Sequence, residues 1–287
     1  MRILERLGAI DRRVIYGLLA LAVVLPLLFP FNLRQRVDRS TQGVFQAVEK
    51  IPADGRVLLI TFDYPPDLSA ELDPMAVSVL RHCFARGVRV VGLSLVATSA
   101  ALGERIIKSA AGEYGRRYGI DYCYFGYRPN AAVVMQSIGI SAKTALPVDH
   151  YGTPYDSIPL MRTVRNYDDV ALIFNIAGSG TVHGWVSFAG GPFRVAVAAG
   201  VAAVMAPDLV PYLQTGQLVG QLGGMKGAAE YEQLITDHGY AISKGLASRA
   251  MNAITSVHLL VMALIIIGNA AFFAARSRKR PQQQREA

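Results

Sequence analysis

Residues 56–64, RVLLITFDY, form a short apolar run that ends close to the acidic Asp63. Apolar residues follow one another here instead of alternating with polar ones, which is typical of a strand buried on both faces. Similar runs of β-branched and aromatic residues occur at 88–96, 120–127, 169–178 and 194–207. Together these runs predict a parallel sheet that is covered by helices on both sides.

Helical patterns lie between the runs. Asp73 is a candidate N-cap, Pro74 suits the first helical position, and Gly87 marks the expected end of that helix. A second helix is expected from a Ser99 cap to about Gly119. Strands and helices that alternate at this spacing predict an α/β fold with a doubly wound, mostly parallel sheet.

Two long stretches without charged residues lie near the ends of the chain, at 14–33 and 250–275. A helix of roughly 20 residues crosses the hydrocarbon core of a bilayer. We therefore predict two terminal transmembrane helices, at residues 14–33 and 255–275, and place the α/β domain between them at 34–242. The second span is expected within a long helix over residues 243–278, because no proline interrupts that segment.

The first stretch also has a feature of signal peptides, because four arginines precede it. It ends in FPFNLRQR, residues 29–36, which lacks the small-x-small pattern of a cleavage site. An uncleaved anchor is therefore favoured.

Basic residues indicate the orientation in the membrane. Nine of them flank the outer ends of the two stretches, and five flank the ends that face the domain. Since cytoplasmic flanks have the excess of lysine and arginine, we expect a two-pass protein of the cell membrane. Both termini, residues 1–13 and 279–287, are then cytoplasmic, and the central domain is extracytoplasmic.

The formal net charge of +8 does not indicate nucleic-acid binding. Residues 34–249 hold 20 basic and 18 acidic side chains, so most of the excess lies on the short flanks of the apolar stretches. Basic flanks of this kind contact anionic lipid. We expect the lipid bilayer as a partner and no nucleic acid.

Residues 216–234, GQLVGQLGGMKGAAEYEQL, are rich in glycine. The glycines recur every three or four residues, so we predict a helix from Thr215 to Gly239 with one glycine-lined face. Packing within the domain is the first interpretation, and contact with another subunit or a mobile hinge are the alternatives. The candidate interface residues are Gly216, Gly220, Gly223, Gly224 and Gly227.

Candidate ligand-binding residues follow from the expected sheet, because ligands of open parallel sheets bind beyond the carboxyl ends of the strands. The residues expected at that edge are Asp63, Asn175, Ser179, Gly180, Thr181, His183 and Asp208. The loop 177–184, AGSGTVHG, could direct its amides to an anion, and a simple tight connection is the alternative. These residues form the candidate site for a small molecule.

The sequence contains no recognised catalytic motif. Ser179, His183 and Asp208 have the groups of a nucleophilic triad, but no GxSxG elbow supports it, so catalytic residues stay unassigned. Asp149 and Asp156 lack a recognised metal-ligand spacing, and we expect neither a metal nor another cofactor.

The first strand with Asp63, the helix after it and the segment ARGVRVVGLSLV (85–96) resemble part of the extracellular CHASE2 sensory domains. The resemblance covers residues 56–96 and implies a membrane-tethered domain outside the cytoplasm. Those domains often have an acidic residue after the second strand, where this chain has Ser94.

The glycine-rich segment, the long terminal helix and the lack of a catalytic constellation favour a binding function. We expect a membrane-anchored α/β domain that binds a ligand or a partner and belongs to a homo- or hetero-oligomeric membrane assembly. The alternative is a membrane-bound, hydrolase-like enzyme with its site at the carboxyl ends of the strands.

Overall fold

The computed structural model describes residues 11–29, 36–241 and 245–283. The chain divides into two compact units, one made of Met1–Leu33 with Arg249–Ala287 and one made of Arg34–Ser248. The second unit contains the sheet and is called the α/β domain below.

The α/β domain is built on one sheet of six parallel strands in the order β3-β2-β1-β4-β5-β6. The strands are β1 (Val57–Asp63), β2 (Arg89–Ser94), β3 (Tyr122–Tyr127), β4 (Val170–Ala177), β5 (Val197–Val201) and β6 (Gly220–Gly223). The predicted α/β fold with a parallel sheet is confirmed. Each of the first five strands lies within one of the five apolar runs.

The structure has eleven α-helices among the described residues, and those of the α/β domain connect the strands and cover the sheet. They are α1 (Arg12–Leu28), α2 (Arg39–Glu49), α3 (Ser69–Ala85), α4 (Ala100–Glu113), α5 (Ala131–Ile140), α6 (Ala142–Ala145), α7 (Thr181–Trp185), α8 (Gly191–Phe193), α9 (Val210–Gln214), α10 (Gly224–Asp237) and α11 (Leu246–Gln283). Successive side chains of β1 point to opposite faces of the sheet. Leu59 belongs to a core that includes Trp185 of α7, whereas the ring of Phe62 lies against Gly103 of α4.

The first predicted helix begins earlier than expected. α3 starts at Ser69, after a 3₁₀ turn at Pro66–Leu68, and Pro74 lies inside the helix. Asp73 therefore lies inside the helix and not at its N-cap, so the predicted cap was wrong. Its carboxylate accepts a hydrogen bond from the Tyr64 hydroxyl (2.9 Å).

The second predicted helix, α4, follows Ser99 as expected but ends at Glu113 instead of Gly119. Gly115 has a φ of +61°, in the left-handed region that favours glycine. The helix therefore ends at this glycine, well before the one that we expected to end it.

The glycine-rich segment is not one helix, so the prediction for Thr215–Gly239 was wrong. Its first part contains β6, and its second part is α10. A Cβ atom on Gly220 would lie 2.5 Å from the backbone oxygen of Ser40 in α2. The absence of a side chain therefore allows α2 to pack directly on the edge strand. Gly224, with a φ of +61°, joins β6 to α10.

Packing within the domain, the first interpretation of these glycines, accounts for Gly220, Gly224 and Gly227. The last two lie against Ala203 and Leu222 of the same domain. Contacts within one chain do not test the proposed subunit interface, which stays a prediction.

α10 has two buried glutamates that cap other helices. Glu230 accepts a hydrogen bond from the backbone N–H of Asp38 (3.0 Å), just before α2. Glu232 accepts from the backbone N–H groups of Ala247 (3.1 Å) and Ser248 (2.8 Å) in the first turn of α11. The first N–H groups of a helix lack an acceptor within it, so a carboxylate is favourable there.

Among the described residues, one helical segment is long and apolar enough to cross a membrane, Leu246–Phe273 of α11. Ser243, where this helix was expected to begin, lies outside the described residues. α1 has 17 residues, which gives a length of about 25 Å, less than a bilayer core of roughly 30 Å. Residues 30–33 of the predicted first span also lie outside the described residues. The structure therefore supports one candidate membrane helix and not the predicted pair.

The close contact of α2 with β6 gives a test of the fold. We expect Gly220→Ala to lower the free energy of unfolding by about 2 kcal/mol, because the new methyl group would overlap the backbone of α2. The measurement is thermal unfolding of the full chain in lipid nanodiscs, followed by circular dichroism. Gly112→Ala in α4 is the matched control, because a Cβ there meets nothing within 4 Å. A smaller effect of Gly220→Ala than of the control would contradict the packing.

Candidate functional site

The candidate site lies at the carboxyl ends of β1 and β4, where the winding of the sheet reverses. From β1 the chain adds β2 and β3 on one side, and from β4 it adds β5 and β6 on the other. Loops that leave the sheet in opposite directions form a crevice at such a point, and doubly wound proteins bind ligands there. The sequence placed Asp63 and Asn175 at this edge, and both lie at this point.

Asp63 and Asn175 are joined by a hydrogen bond inside the domain. The Asn175 Nδ2 atom donates to Asp63 Oδ2 (2.7 Å) and lies 2.6 Å from Thr61 Oγ1. The Thr61 hydroxyl and the backbone N–H of Leu95 also donate to the carboxylate, at 3.1 Å and 2.7 Å. All three polar side chains are fully buried. They form a polar group within an otherwise apolar core.

Two residues of α7 complete this group. The Thr181 hydroxyl donates to Asn175 Oδ1 (3.2 Å), and Trp185, one turn later, is fully buried. The Trp185 Nε1–H is close enough to Asp63 to favour the charged carboxylate, yet it makes no hydrogen bond of good geometry with any described residue. We call Thr61, Asp63, Asn175, Thr181 and Trp185 the switch-point site.

Burial dominates the electrostatics of the switch-point site. Removal from water raises the pKa of Asp63 to about 6, although hydrogen bonds from Leu95, Thr61 and Asn175 and the nearby Trp185 Nε1–H act in the opposite direction. The carboxyl group is therefore neutral in mild acid and charged above about pH 6.

Two loops close over the buried residues. A Cβ on Gly178, in the loop after β4, would overlap the side chain of Leu68 in the turn after β1. Ser179 and Gly180 follow on the surface and are exposed. A molecule at this edge would contact the exposed loop first, and would reach Asp63 only after the two loops separate.

Two other predicted residues, His183 and Asp208, make no hydrogen bond to the switch-point site among the described contacts. The His183 Nδ1 atom pairs with the Tyr212 hydroxyl (3.1 Å), and Asp208 is exposed in the turn after β5. The nitrogen that an aspartate would orient in a Ser-His-Asp triad is therefore occupied by a tyrosine. This geometry does not support a triad of Ser179, His183 and Asp208.

Two residues of the switch-point site were missed in the sequence. Thr61 lies two positions before Asp63, so the period of a strand places both side chains on one face. Trp185 lies four positions after Thr181, which is one helical turn. Both spacings become informative once the strand and the helix are assigned. α7 was not predicted, so the spacing of Thr181 and Trp185 could not be used.

The candidate metal donors do not converge. Within the described ranges, no group of three His, Cys, Asp or Glu side chains is arranged to hold a metal ion. The Asp149 carboxylate accepts hydrogen bonds from the backbone N–H groups of Tyr151 (2.9 Å) and Thr153 (2.7 Å), and so closes its own loop. Asp156 forms an ion pair with Lys143.

Comparisons with known proteins do not assign a family. No family model matches the chain, and neither the curated proteins nor the solved structures contain a significant match. The resemblance of residues 56–96 to CHASE2 domains is thus not supported by a family match.

The pKa of Asp63 gives a pH-dependent signal at the only tryptophan of the chain, Trp185. We expect Trp185 fluorescence in nanodiscs to change with a midpoint near pH 6, as Asp63 gains its charge. The same ionisation removes up to about 3 kcal/mol of folding free energy, which is present below about pH 4 and lost as the pH rises through 6.

Three variants identify the source of the signal. Asp63→Asn should abolish the fluorescence transition and remove the loss of stability that Asp63 causes as the pH rises through about 6. Asp208→Asn and His183→Gln should keep both effects, and the histidine control is needed because imidazole titrates in the same range. Persistence of the transition in Asp63→Asn would refute the assignment.

Proposed function

We propose that this protein is a membrane-anchored binding protein whose α/β domain recognises a small polar ligand, or a polar segment of a partner, at the switch-point site. The observation that carries this proposal is the unpaired Trp185 Nε1–H beside the buried Asp63–Asn175 pair, at the reversal of the sheet. A buried donor without an acceptor is costly, and a bound oxygen atom would satisfy it.

The chemistry of the site supports a ligand with hydrogen-bond acceptors. The exposed Ser179 offers a hydroxyl group, and Trp185 offers a donor deeper in the domain, whereas the Thr181 hydroxyl positions Asn175. Carboxylates and phosphates present such acceptors. Separation of the turn at Pro66–Leu68 from the loop at Gly178 would admit the ligand.

A membrane-bound enzyme with its site at the same edge is the second candidate. Asp63, with a pKa of about 6, suits proton transfer near neutral pH. Against a hydrolase-like enzyme, the carboxyl group is fully buried, and His183 is paired with Tyr212 and not with an acidic residue. Binding is therefore the better supported function.

The proposed setting is the cell membrane, with α11 as one span and residues 14–33 as a second. Apolar side chains of α1 such as Tyr16 and Leu28 are exposed, as suits a helix surrounded by lipid. The basic flanks place both termini in the cytoplasm and the α/β domain outside it. Assembly into a homo- or hetero-oligomer would then use the exposed apolar side chains of α11.

Cysteine labelling in sealed vesicles tests the two-pass topology. A membrane-impermeant maleimide should label Ser187→Cys, on the exposed surface of the α/β domain, from the extracytoplasmic side. Ser277→Cys in the basic tail should react only after the vesicles are permeabilised. The wild-type chain is the control, because Cys83 and Cys123 are buried. Equal labelling of both positions from one side would refute this orientation.

Ligand binding is tested by the fluorescence of Trp185 in the full chain in nanodiscs. The probes are acetate, glutamate, inorganic phosphate and adenosine monophosphate, which all present acceptors. We expect at least one probe to give a saturable change that Thr181→Val weakens about tenfold, the cost of one hydrogen bond in a buried site. Ser187→Ala is the control, because this exposed hydroxyl lies outside the site.

The same preparation separates binding from catalysis. No saturable response to any of the four probes would contradict the binding proposal. Hydrolysis of p-nitrophenyl acetate that disappears in Asp63→Asn would instead favour the enzyme.

A further inference from the structure

A cavity lies at the amino ends of the strands, the edge of the sheet opposite the switch-point site. It has a volume of about 280 Å³ and is bounded by α2, the loop after α2 and the amino ends of β4, β5 and β6. This volume is close to the lower end of the roughly 300–1,000 Å³ that ligand pockets occupy. No residue of the switch-point site lines it, so the two sites are independent.

Small side chains create the space in this cavity. Ala47 lies on the side of α2, and Ala171 and Ala196 lie on the side of the sheet. Leu172, which is fully buried, belongs to the same wall. The wall is therefore mostly apolar, and an apolar chain would lose contact with water there.

The charged residues of the lining have one sign. Lys50 and Arg56 are the two, and both are exposed at the rim. Lys50 has no ion pair with any described residue, whereas Arg56 pairs with Asp54 (3.0 Å). An apolar wall with a free ammonium group at its rim fits a molecule with an apolar chain and an anionic head.

A neighbouring cavity of about 350 Å³ differs in this respect. It lies at the amino ends of β1 and β2 and is lined by both acidic and basic residues, including Asp168, Asp169 and Arg89. Asp169 pairs with Arg165, and Arg89 donates to the backbone of Gly55, so two charged side chains of this lining already have partners within the domain. It does not select a ligand of one sign.

We infer that the cavity between α2 and the amino ends of β4 to β6 binds a single-chain anionic amphiphile, specifically a free medium-chain carboxylate. The chain occupies the space beside Ala47 and Ala171, and the carboxylate meets Lys50 at the rim. Anionic phospholipid has the same head-and-chain chemistry, so the test must separate the two sources.

The experiment uses the full chain in nanodiscs of neutral phosphatidylcholine and octanoate with a terminal fluorine label. Binding is followed by fluorine NMR, with empty nanodiscs as the blank. We expect saturable binding of octanoate, weaker binding of octanol and none of octylamine. From butanoate to octanoate, affinity should rise roughly fourfold per methylene group until the cavity is full.

Two variants with matched controls locate the site. Ala47→Leu fills the cavity and should weaken octanoate binding more than tenfold, whereas Ala101→Leu makes the same change at an exposed position of α4. Lys50→Gln should weaken octanoate about two- to fivefold and leave octanol unchanged, the range expected of an exposed charge pair. Lys108→Gln, also on α4, is its control.

Several outcomes would overturn the inference. They are no saturable binding above the blank, equal affinity in Ala47→Leu and wild type, and octylamine binding as tightly as octanoate. If Ala47→Leu does not fold, the chain-length series in the wild type decides, because a flat series contradicts a confined apolar site. Displacement of octanoate by phosphatidylglycerol in the nanodisc would show that lipid, and not a free carboxylate, is the ligand.

Discussion

The hydrogen bond between Asn175 and Asp63 is the interaction on which the carboxyl edge of the domain depends. It joins β4 to β1 across the point where the sheet reverses, and it lies among fully buried side chains. The partners of the carboxylate are neutral donors, and no described residue forms an ion pair with it. Neutral donors offset only part of the cost of desolvation, so the pKa stays raised. The charge of the switch-point site therefore depends on pH near 6.

The buried carboxylates of α10 are stabilised in a different way. Glu230 accepts from the start of α2 and pairs with Lys226 (2.7 Å), which supplies a full positive charge. Glu232 accepts from the N–H groups and a hydroxyl at the start of α11, and burial raises its pKa although the charge of Arg81 acts in the opposite direction. Because one helix caps both α2 and α11, a shift of α10 would disturb both helices together.

The sequence predicted the parts of the fold that follow from apolar side chains. Runs such as 56–64 identify strands, because a strand that is buried on both faces has apolar residues at successive positions. β6 was missed because its four residues, GQLG, include two glycines and present few side chains to a pattern. The function of Gly220 depends on α2, which lies far away in the sequence, so spacing alone could not reveal it.

The candidate site was also predicted only in part from the sequence. Asp63 and Asn175 were expected at one edge because each comes near the end of an apolar run, and parallel strands end together. His183 and Asp208 were placed at that edge by the same rule, but their partners depend on where α9 and the turn after β5 lie. A rule about strand ends gives the edge of the sheet, and tertiary packing decides which of its residues meet.

His82 and Asp63 make the stability of the domain depend on pH in opposite directions. Burial lowers the pKa of His82 to about 4, although the carboxylate of Glu49, 2.7 Å from Nε2, favours the charged imidazole. The folded domain holds this histidine neutral, so its contribution is present above about pH 6.5 and lost as the pH falls through 4. The contribution of Asp63 is lost as the pH rises through about 6. His82 lowers stability at low pH, and Asp63 lowers it at high pH. At intermediate pH the domain has a neutral His82 and a partly protonated Asp63. The residues that form hydrogen bonds with Asp63 are not those that form hydrogen bonds with His82. Ligand binding that changes the protonation of Asp63 would therefore change the pH dependence of stability without altering His82.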